Sequence, residues 1–418
     1  MIEVIPRKIG NTAIAVPGSK SYTHRIYIAA ALSDGLCKIR NFLESEDTNY
    51  TLTALKKMGI QYKKEGDQLC LSGLNGKFKA YDKPIDLGNS GTSMRLLSSL
   101  AGIGQGSYLF TGSERMCLRP IGHLLEALNQ MGFSAVSINN DDCPPVKVIS
   151  GKISKSNINI NCSVSSQYLS ALLLISPFAQ DEVHLHITHG PVSKPYVDMT
   201  IDIMAKFGVS VVRNGYSDFF IRGKQAYLPG NYDVEPDCSQ AGYFWAAAAI
   251  TGSEVKVKKI TKESKQGDAR FPEVLSAMGC HVNYRPDGIS VIGGELSAIE
   301  VDMADMPDLV PTLAIVASFA KGTTYIKNVG HLRAKESDRL AAVTKELGKM
   351  GISAISNEND LIITGGKTHG AEIETYNDHR IAMSFAIAGL MVPGIKITDE
   401  HCVDKSFPDF WKVLDELR

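Results

Sequence analysis

The chain has 418 residues, with 44 Lys+Arg against 45 Asp+Glu, a net charge of −1 and 44% hydrophobic residues. Ordinary apolar content at near-zero net charge excludes a disordered chain, and the charge balance excludes a generally basic binder of nucleic acid or membrane surfaces. A chain this long outgrows one hydrophobic core, so two lobes of about 200 residues are expected.

The eight cysteines show no C-x-x-C pair, which removes zinc-ribbon and thioredoxin-type readings. Scattered single thiols suit a reducing, cytoplasmic setting. The first residues, MIEVIPRKIGNTAIAVPG, lack the apolar stretch of a secretory signal, and the longest apolar run, Tyr243 to Ile250, is too short for a membrane span.

Along the chain, one pattern recurs about every 70 residues: an apolar helix, a glycine turn, then a strand. It reads ALKKMGIQY, ALNQMGFSAV, IMAKFGVSVV, VLSAMGCHV and ELGKMGISAI, with turns at Gly59, Gly132, Gly208, Gly279 and Gly351. A sixth copy would fall just past the chain end, after a C-terminal helix in FPDFWKVLDELR. Glycine takes φ > 0 without steric cost and is the expected helix terminator. A second series interleaves: IAAALSDGLCKI, LLSSLAGIGQGSYLF, ALLLISPFAQDEVHLHI, FWAAAAITGSEVKV, LAIVASFAKGTTYI and FAIAGLMVPGIKI. Helices this apolar must be buried nearly all round. Six related modules, three per lobe, fit the size argument.

These apolar helices begin at PGSKSYTHR, GNSGTSMR, SVSSQ, PDCSQ, MPDLVPT and YNDHR, where Ser, Thr, Asn and Asp are natural N-caps, Asp308 among them. Lys20, Arg25, Arg95 and Arg380 lie at or just inside those starts, where a cation opposes the helix dipole. Capping alone does not account for that; anion binding does. The loops before the second helices add Arg115, Arg119, Ser193, Lys194, Tyr196, Lys335, Glu336, Arg339 and Lys405. Each alone reads as a solvated loop. Together they describe a cationic cleft between lobes.

Nine stretches in order, PGSKSYTHR, LGNSGTSMRLL, SERMCLRPI, VSSQYLSALL, SKPYVDMT, MPDLVPT, LRAKESDRL, YNDHRIAMSF and DKSFPDF, make the chain resemble the enolpyruvyl transferases over essentially its whole length. The resemblance implies a two-lobed inside-out α/β fold of six βαβαββ units. The first lobe would span 18–235 and the second 1–17 plus 236–418, with crossovers near Val16 to Gly18 and Asp233 to Pro236. It also implies transfer of the carboxyvinyl group of phosphoenolpyruvate to the 5-hydroxyl of shikimate 3-phosphate. Lys20, Ser21, Arg25, Ser165, Ser166, Gln167, Ser193, Tyr196, Asp308, His331 and Lys335 would hold shikimate 3-phosphate. Lys20, Asn89, Gly91, Arg115, Gln167, Arg339, Arg380 and Lys405 would hold phosphoenolpyruvate. Asp308 matches the general base and Glu336 the proton donor, with Lys20 assisting. His331 stands where an asparagine is usual, a departure from the family at one substrate contact. The expectation is an enzyme with no cofactor or metal, acting as a monomer without nucleic-acid or membrane partners. With cations divided between lobes, the lobes are expected to close on the phosphorylated substrate.

Rivals weigh less. In HLHITH, His184 and His186 share one strand face and His189 does not, and two imidazoles without an acid or thiol seldom hold a metal. Gly102, Gly104 and Gly106 follow a helix instead of opening one, unlike a dinucleotide loop. GSKS lacks the glycine and GK pair of a phosphate-binding P-loop. The branch of the family acting on UDP-N-acetylglucosamine carries a cysteine five residues before an Arg-Pro pair; here that slot is Glu114, and Cys117 is out of register. A non-catalytic phosphosugar or RNA-phosphate module would have no need of a general base.

Overall fold

The computed structural model describes residues 1–417. It divides into a continuous unit, Gly18–Val234, and a discontinuous one, Met1–Pro17 with Glu235–Arg418. The chain leaves the second unit after Pro17 and returns at Glu235. The Asp237 amide donates to the Pro17 carbonyl at 2.9 Å, so departure and return are tied within one unit. On the other side, the Val234 amide donates to Arg40 O at 3.0 Å, and Asn41 Nδ2 donates to Val234 O at 2.7 Å.

Each unit holds three sheets, and the sheets repeat one design. In one, Asn157–Asn161 runs parallel to Val183–His189, which pairs antiparallel with Asp218–Ile221 and through it with Val212–Asn214. Alternating burial along Val183–His189 places Val183, Leu185 and Ile187 inward and the histidines outward. Two sheets borrow their parallel edge strand from far along the chain. Asn231–Asp233 closes the sheet of Leu36–Arg40, and Thr12–Ile14 closes that of Glu254–Lys258. The sixth sheet has three strands: Glu372–Ile373 parallel to Ile395–Ile397, with the N-terminal Ile2–Val4 supplying the antiparallel partner. The last unit is thus completed by the start of the chain.

The apolar helices fill the interior. Lys20–Leu32, Gly91–Gly102 and Gln167–Ile175 belong to the continuous core; Cys238–Thr251, Val310–Ser318 and His379–Gly389 belong to the other. Residues 238–250 are all buried, and the run Ala246 to Ala249 lets neighbouring helices approach closely. Trp245 is fully buried, with its indole N–H donating to Ile289 O at 3.2 Å. The turn glycines at 59, 132, 208, 279 and 351 all have positive φ, between 82° and 113°. A C-terminal helix forms at Phe410–Asp415. No described helix is long and apolar enough to cross a membrane.

Candidate active site

The helix starts behave unequally. Ser19, Asp237 and Asp378 cap with their side chains, whereas Ser90 and Ser166 make no such bond. Asp308 is no cap. It lies inside the 3-10 turn Pro307–Leu309, and Leu309 takes the cap position of the next helix. Its carboxylate is drawn instead to two guanidiniums, whose burial costs less beside a counter-charge.

In the discontinuous unit, Arg339 is almost fully buried and organises three carboxylates. Its Nη1 donates to Asp308 at 2.8 Å, Nη2 to Glu336 at 2.9 Å, and Nε to Asp378 at 2.8 Å. Arg380 donates to the second oxygen of Asp308 at 3.0 Å and to the Tyr243 hydroxyl at 3.0 Å. Despite burial, surrounding negative charge holds Arg339 fully protonated. Asp378 caps the His379–Gly389 helix while accepting from Ser337 at 3.0 Å. It is delivered by two consecutive left-handed residues, Tyr376 (φ 55°) and Asn377 (φ 51°), a strained turn of the kind retained at functional sites. Behind this cluster, Asp268 is buried against the Ser239 hydroxyl. Burial first, then the charge of Asp308, pushes its carboxyl up to about 7. His331 is pushed down to about 3 by burial and then by Lys335. Lys405 is buried at the end of the 3-10 turn His401–Lys405.

The continuous unit has a second polar cluster. Arg25 is buried and bonded only to neutral groups: Ser21 O at 2.9 Å, Thr200 Oγ1 at 2.8 Å, Tyr196 O at 3.2 Å and Ser170 Oγ at 3.4 Å. Its guanidinium also lies 5.8 Å from the centroid of the Tyr196 ring. Burial lowers its pKa to about 10, the mark of a cation short of negative charge. Lys20, by contrast, pairs with buried Asp47 at 3.0 Å. Gly91 begins its helix beside two buried arginines. An added Cβ would lie 2.2 Å from Arg95 Nη1 and 2.6 Å from Arg119 Nη2. Arg119 Nη1 donates to the Asn89 carbonyl and side chain at 3.0 and 3.2 Å. Gln167 Nε2 donates to Thr92 Oγ1 at 3.0 Å, and the Gln167 backbone N–H donates to Ser165 Oγ at 3.2 Å. Ser166 is buried, Ser193 is buried with φ 54°, and Arg115 is half-buried at the start of the 3-10 turn Met116–Leu118.

Similarity to known proteins accords with this chemistry. Residues 6–414 match the family described as EPSP synthase (3-phosphoshikimate 1-carboxyvinyltransferase). The chain belongs to that family. The 3-phosphoshikimate 1-carboxyvinyltransferase of Colwellia psychrerythraea is 42% identical over 413 residues, covering 97% of both chains. That of Vibrio vulnificus is 42% identical over 418 residues, covering 99% of this chain and 97% of its own. The EPSP synthase structure from Acinetobacter baumannii aligns with TM-score 0.82 at 29% identity, covering 99% and 97%. The enolpyruvyl transferase NikO from Streptomyces tendae, 19% identical with TM-score 0.79 over 99% and 96%, shares the fold.

For an EPSP synthase family member, the structure brings Asp308, Glu336, Arg339 and Arg380 into one bonded cluster, and Ser21, Arg25 and Tyr196 into another. Asp47, Asp268, Tyr243 and Asp378 also belong to these clusters, although no motif singles them out as site residues. Asp378 had a signal, since YNDHR marks it as a cap, but its pairing with Arg339 across 39 residues had none. One expectation needs correcting. His184 and His186 of HLHITH do have an acidic partner, Asp218 on the neighbouring strand.

Proposed function

We infer that this chain transfers the carboxyvinyl group of phosphoenolpyruvate to the 5-hydroxyl of shikimate 3-phosphate, giving 5-enolpyruvylshikimate 3-phosphate and phosphate. Membership of the EPSP synthase family supports the reaction. The observation that carries the mechanism is Asp308, held by one arginine on each oxygen while Glu336 shares Arg339. Addition removes a proton from the hydroxyl and delivers one to the methylene carbon, and elimination takes the latter back. A carboxylate offers about four lone-pair sites, so pairing with arginines does not by itself prevent it from accepting a substrate hydroxyl. Asp308 then acts as base and Glu336 as proton donor, with Lys20 assisting.

Arg25, with Lys20, Ser21, Ser165, Ser166, Gln167, Ser193 and Tyr196, serves the phosphorylated shikimate, joined by Asp308, His331 and Lys335. A buried guanidinium bonded only to neutral groups favours an anionic guest. Arg115, Arg339, Arg380, Lys405, Lys20, Gln167, Asn89 and Gly91 serve phosphoenolpyruvate, whose carboxylate and phosphate suit the fork of Arg. The test is phosphate release from phosphoenolpyruvate, expected to require shikimate 3-phosphate and to survive chelators. UDP-N-acetylglucosamine is supplied as a competing acceptor; transfer to it in preference to shikimate 3-phosphate overturns the reading.

A further inference from the structure

We propose that His184, His186 and Asp218 form a binding site for one divalent first-row transition ion, Zn²⁺ foremost, on the outward face of a sheet in the continuous unit. Strand geometry makes the site. Residues two apart on Val183–His189 point the same way, so both imidazoles leave the sheet on the side opposite buried Leu185. Antiparallel pairing sets Asp218 directly across from His186 and diagonal to His184.

The donor atoms already converge. His184 Nε2 and His186 Nδ1 each lie 2.9 Å from the same oxygen, Asp218 Oδ1, and the three ligand atoms lie within 4.8 Å of one another. Donors about 2.1 Å from a tetrahedral ion are about 3.4 Å apart. Exchanging the shared protons for an ion therefore asks each imidazole to draw back from Asp218 Oδ1 by about 0.5 Å, within the reach of side-chain rotation. Two further contacts hold the ligands in place. The His184 ring stacks on Phe220 with centroids 4.5 Å apart and planes 10° apart. The Ser217 hydroxyl donates at 2.7 Å to the other carboxylate oxygen, Oδ2, which turns Oδ1 toward the imidazoles. Side-chain exposures of 31%, 46% and 22% for His184, His186 and Asp218 leave water able to complete the coordination shell.

Two imidazoles and one carboxylate select Zn²⁺, Co²⁺, Ni²⁺ or Cu²⁺ over Mg²⁺ and Ca²⁺, which require oxygen donors. None of the residues assigned to the reaction belongs to this cluster. The ion would clip two neighbouring strands together and stabilise the folded chain by mass action.

The experiment uses the untagged full-length protein, stripped of metal, titrated with Zn²⁺ against a chromophoric chelator and with Co²⁺ by absorption. One Zn²⁺ per chain is expected, with a rise in melting temperature and a Co²⁺ spectrum free of thiolate charge transfer. Asp218→Asn and His184→Gln, shown to be folded by circular dichroism and by unchanged phosphate release, should each weaken binding at least about tenfold and abolish the thermal shift. No stoichiometric binding to the unaltered protein, variants that bind as tightly as the unaltered protein, or a thiolate-to-cobalt band placing the ion on a cysteine would each overturn the proposal.

Discussion

Asp308 accepts from two buried guanidiniums, and its neighbours determine what its loss should do. In Asp308→Asn, Arg339 keeps Asp378 and Glu336, and Arg380 keeps Tyr243, so the cluster retains counter-charge and polar contacts. Shikimate 3-phosphate binding should stay within a few-fold by calorimetry, while turnover falls by roughly 10²–10⁴, the worth of general acid–base catalysis. Near-normal phosphate release would remove Asp308 from the chemistry. Two neighbouring groups set opposite pH dependences. His331 titrates near 3 when folded against 6.5 when unfolded, so below 6.5 the unfolded chain takes up a proton that the folded one refuses. Stability therefore falls as pH drops from 6.5 toward 3, by at most about 1.4 kcal/mol per pH unit. Asp268 titrates near 7 when folded against 3.8 when unfolded, so its contribution is lost as pH rises from 3.8 to 7. Urea midpoints between pH 4 and 8 should show His331→Asn flattening the acid-side loss and Asp268→Asn the loss toward neutrality. Parallel curves for variants and parent would refute both assignments.

Among the helices, two positions report on packing in different ways. At the first residue of the Gly91–Gly102 helix, a methyl group would collide with Arg95 and Arg119, both buried and tied to backbone carbonyls. Gly91→Ala should shift these cations and raise the KM for phosphoenolpyruvate several-fold. Shikimate 3-phosphate binding should barely change, because Arg25 is held by other partners. An unchanged KM would show that the arginines relax at no cost. In the Cys238–Thr251 helix, Ala247 is fully buried within an all-small run. Ala247→Leu adds three carbons to a fully buried position and should cost about 1–3 kcal/mol in chemical denaturation. These helices were legible from the sequence because their apolar residues show no polar face, which is possible only for an element surrounded by protein. The caps were only half legible. Ser19 and Asp237 cap as their residue types suggest, but Asp308 does not, since two arginines distant in sequence outbid the amides of its own turn.

At the scale of the whole chain, the two units differ in continuity. Residues 18–234 contain every strand of their three sheets, including the late Asn231–Asp233. A fragment spanning them should unfold cooperatively in urea, and a broad, non-cooperative transition would show that its core depends on the remainder. The other unit needs both chain ends, because Ile2–Val4 completes a three-stranded sheet. Removing residues 1–5 should speed hydrogen exchange in Ile395–Ile397 and its neighbours while leaving the strands of 18–234 protected. Equal exchange in full-length and truncated protein would contradict that.

Much of this was determined by the sequence alone. The 70-residue recurrence, the glycine turns, the unbroken apolar helices and the nine ordered stretches all depend on residue type at short spacing. Local stereochemistry and burial impose that information directly on the chain. Tertiary structure alone decided the pairings between distant segments: Asn231–Asp233 beside Leu36–Arg40, Ile2–Val4 beside Ile395–Ile397, and Asp218 across from His186. It alone decided that Arg339 gathers Asp308, Glu336 and Asp378, and that Arg25 is buried without a carboxylate. The physical reason is range. A strand edge or a buried charge is satisfied by whatever the fold brings within about 3 Å, and residue spacing along the chain carries no record of that partner.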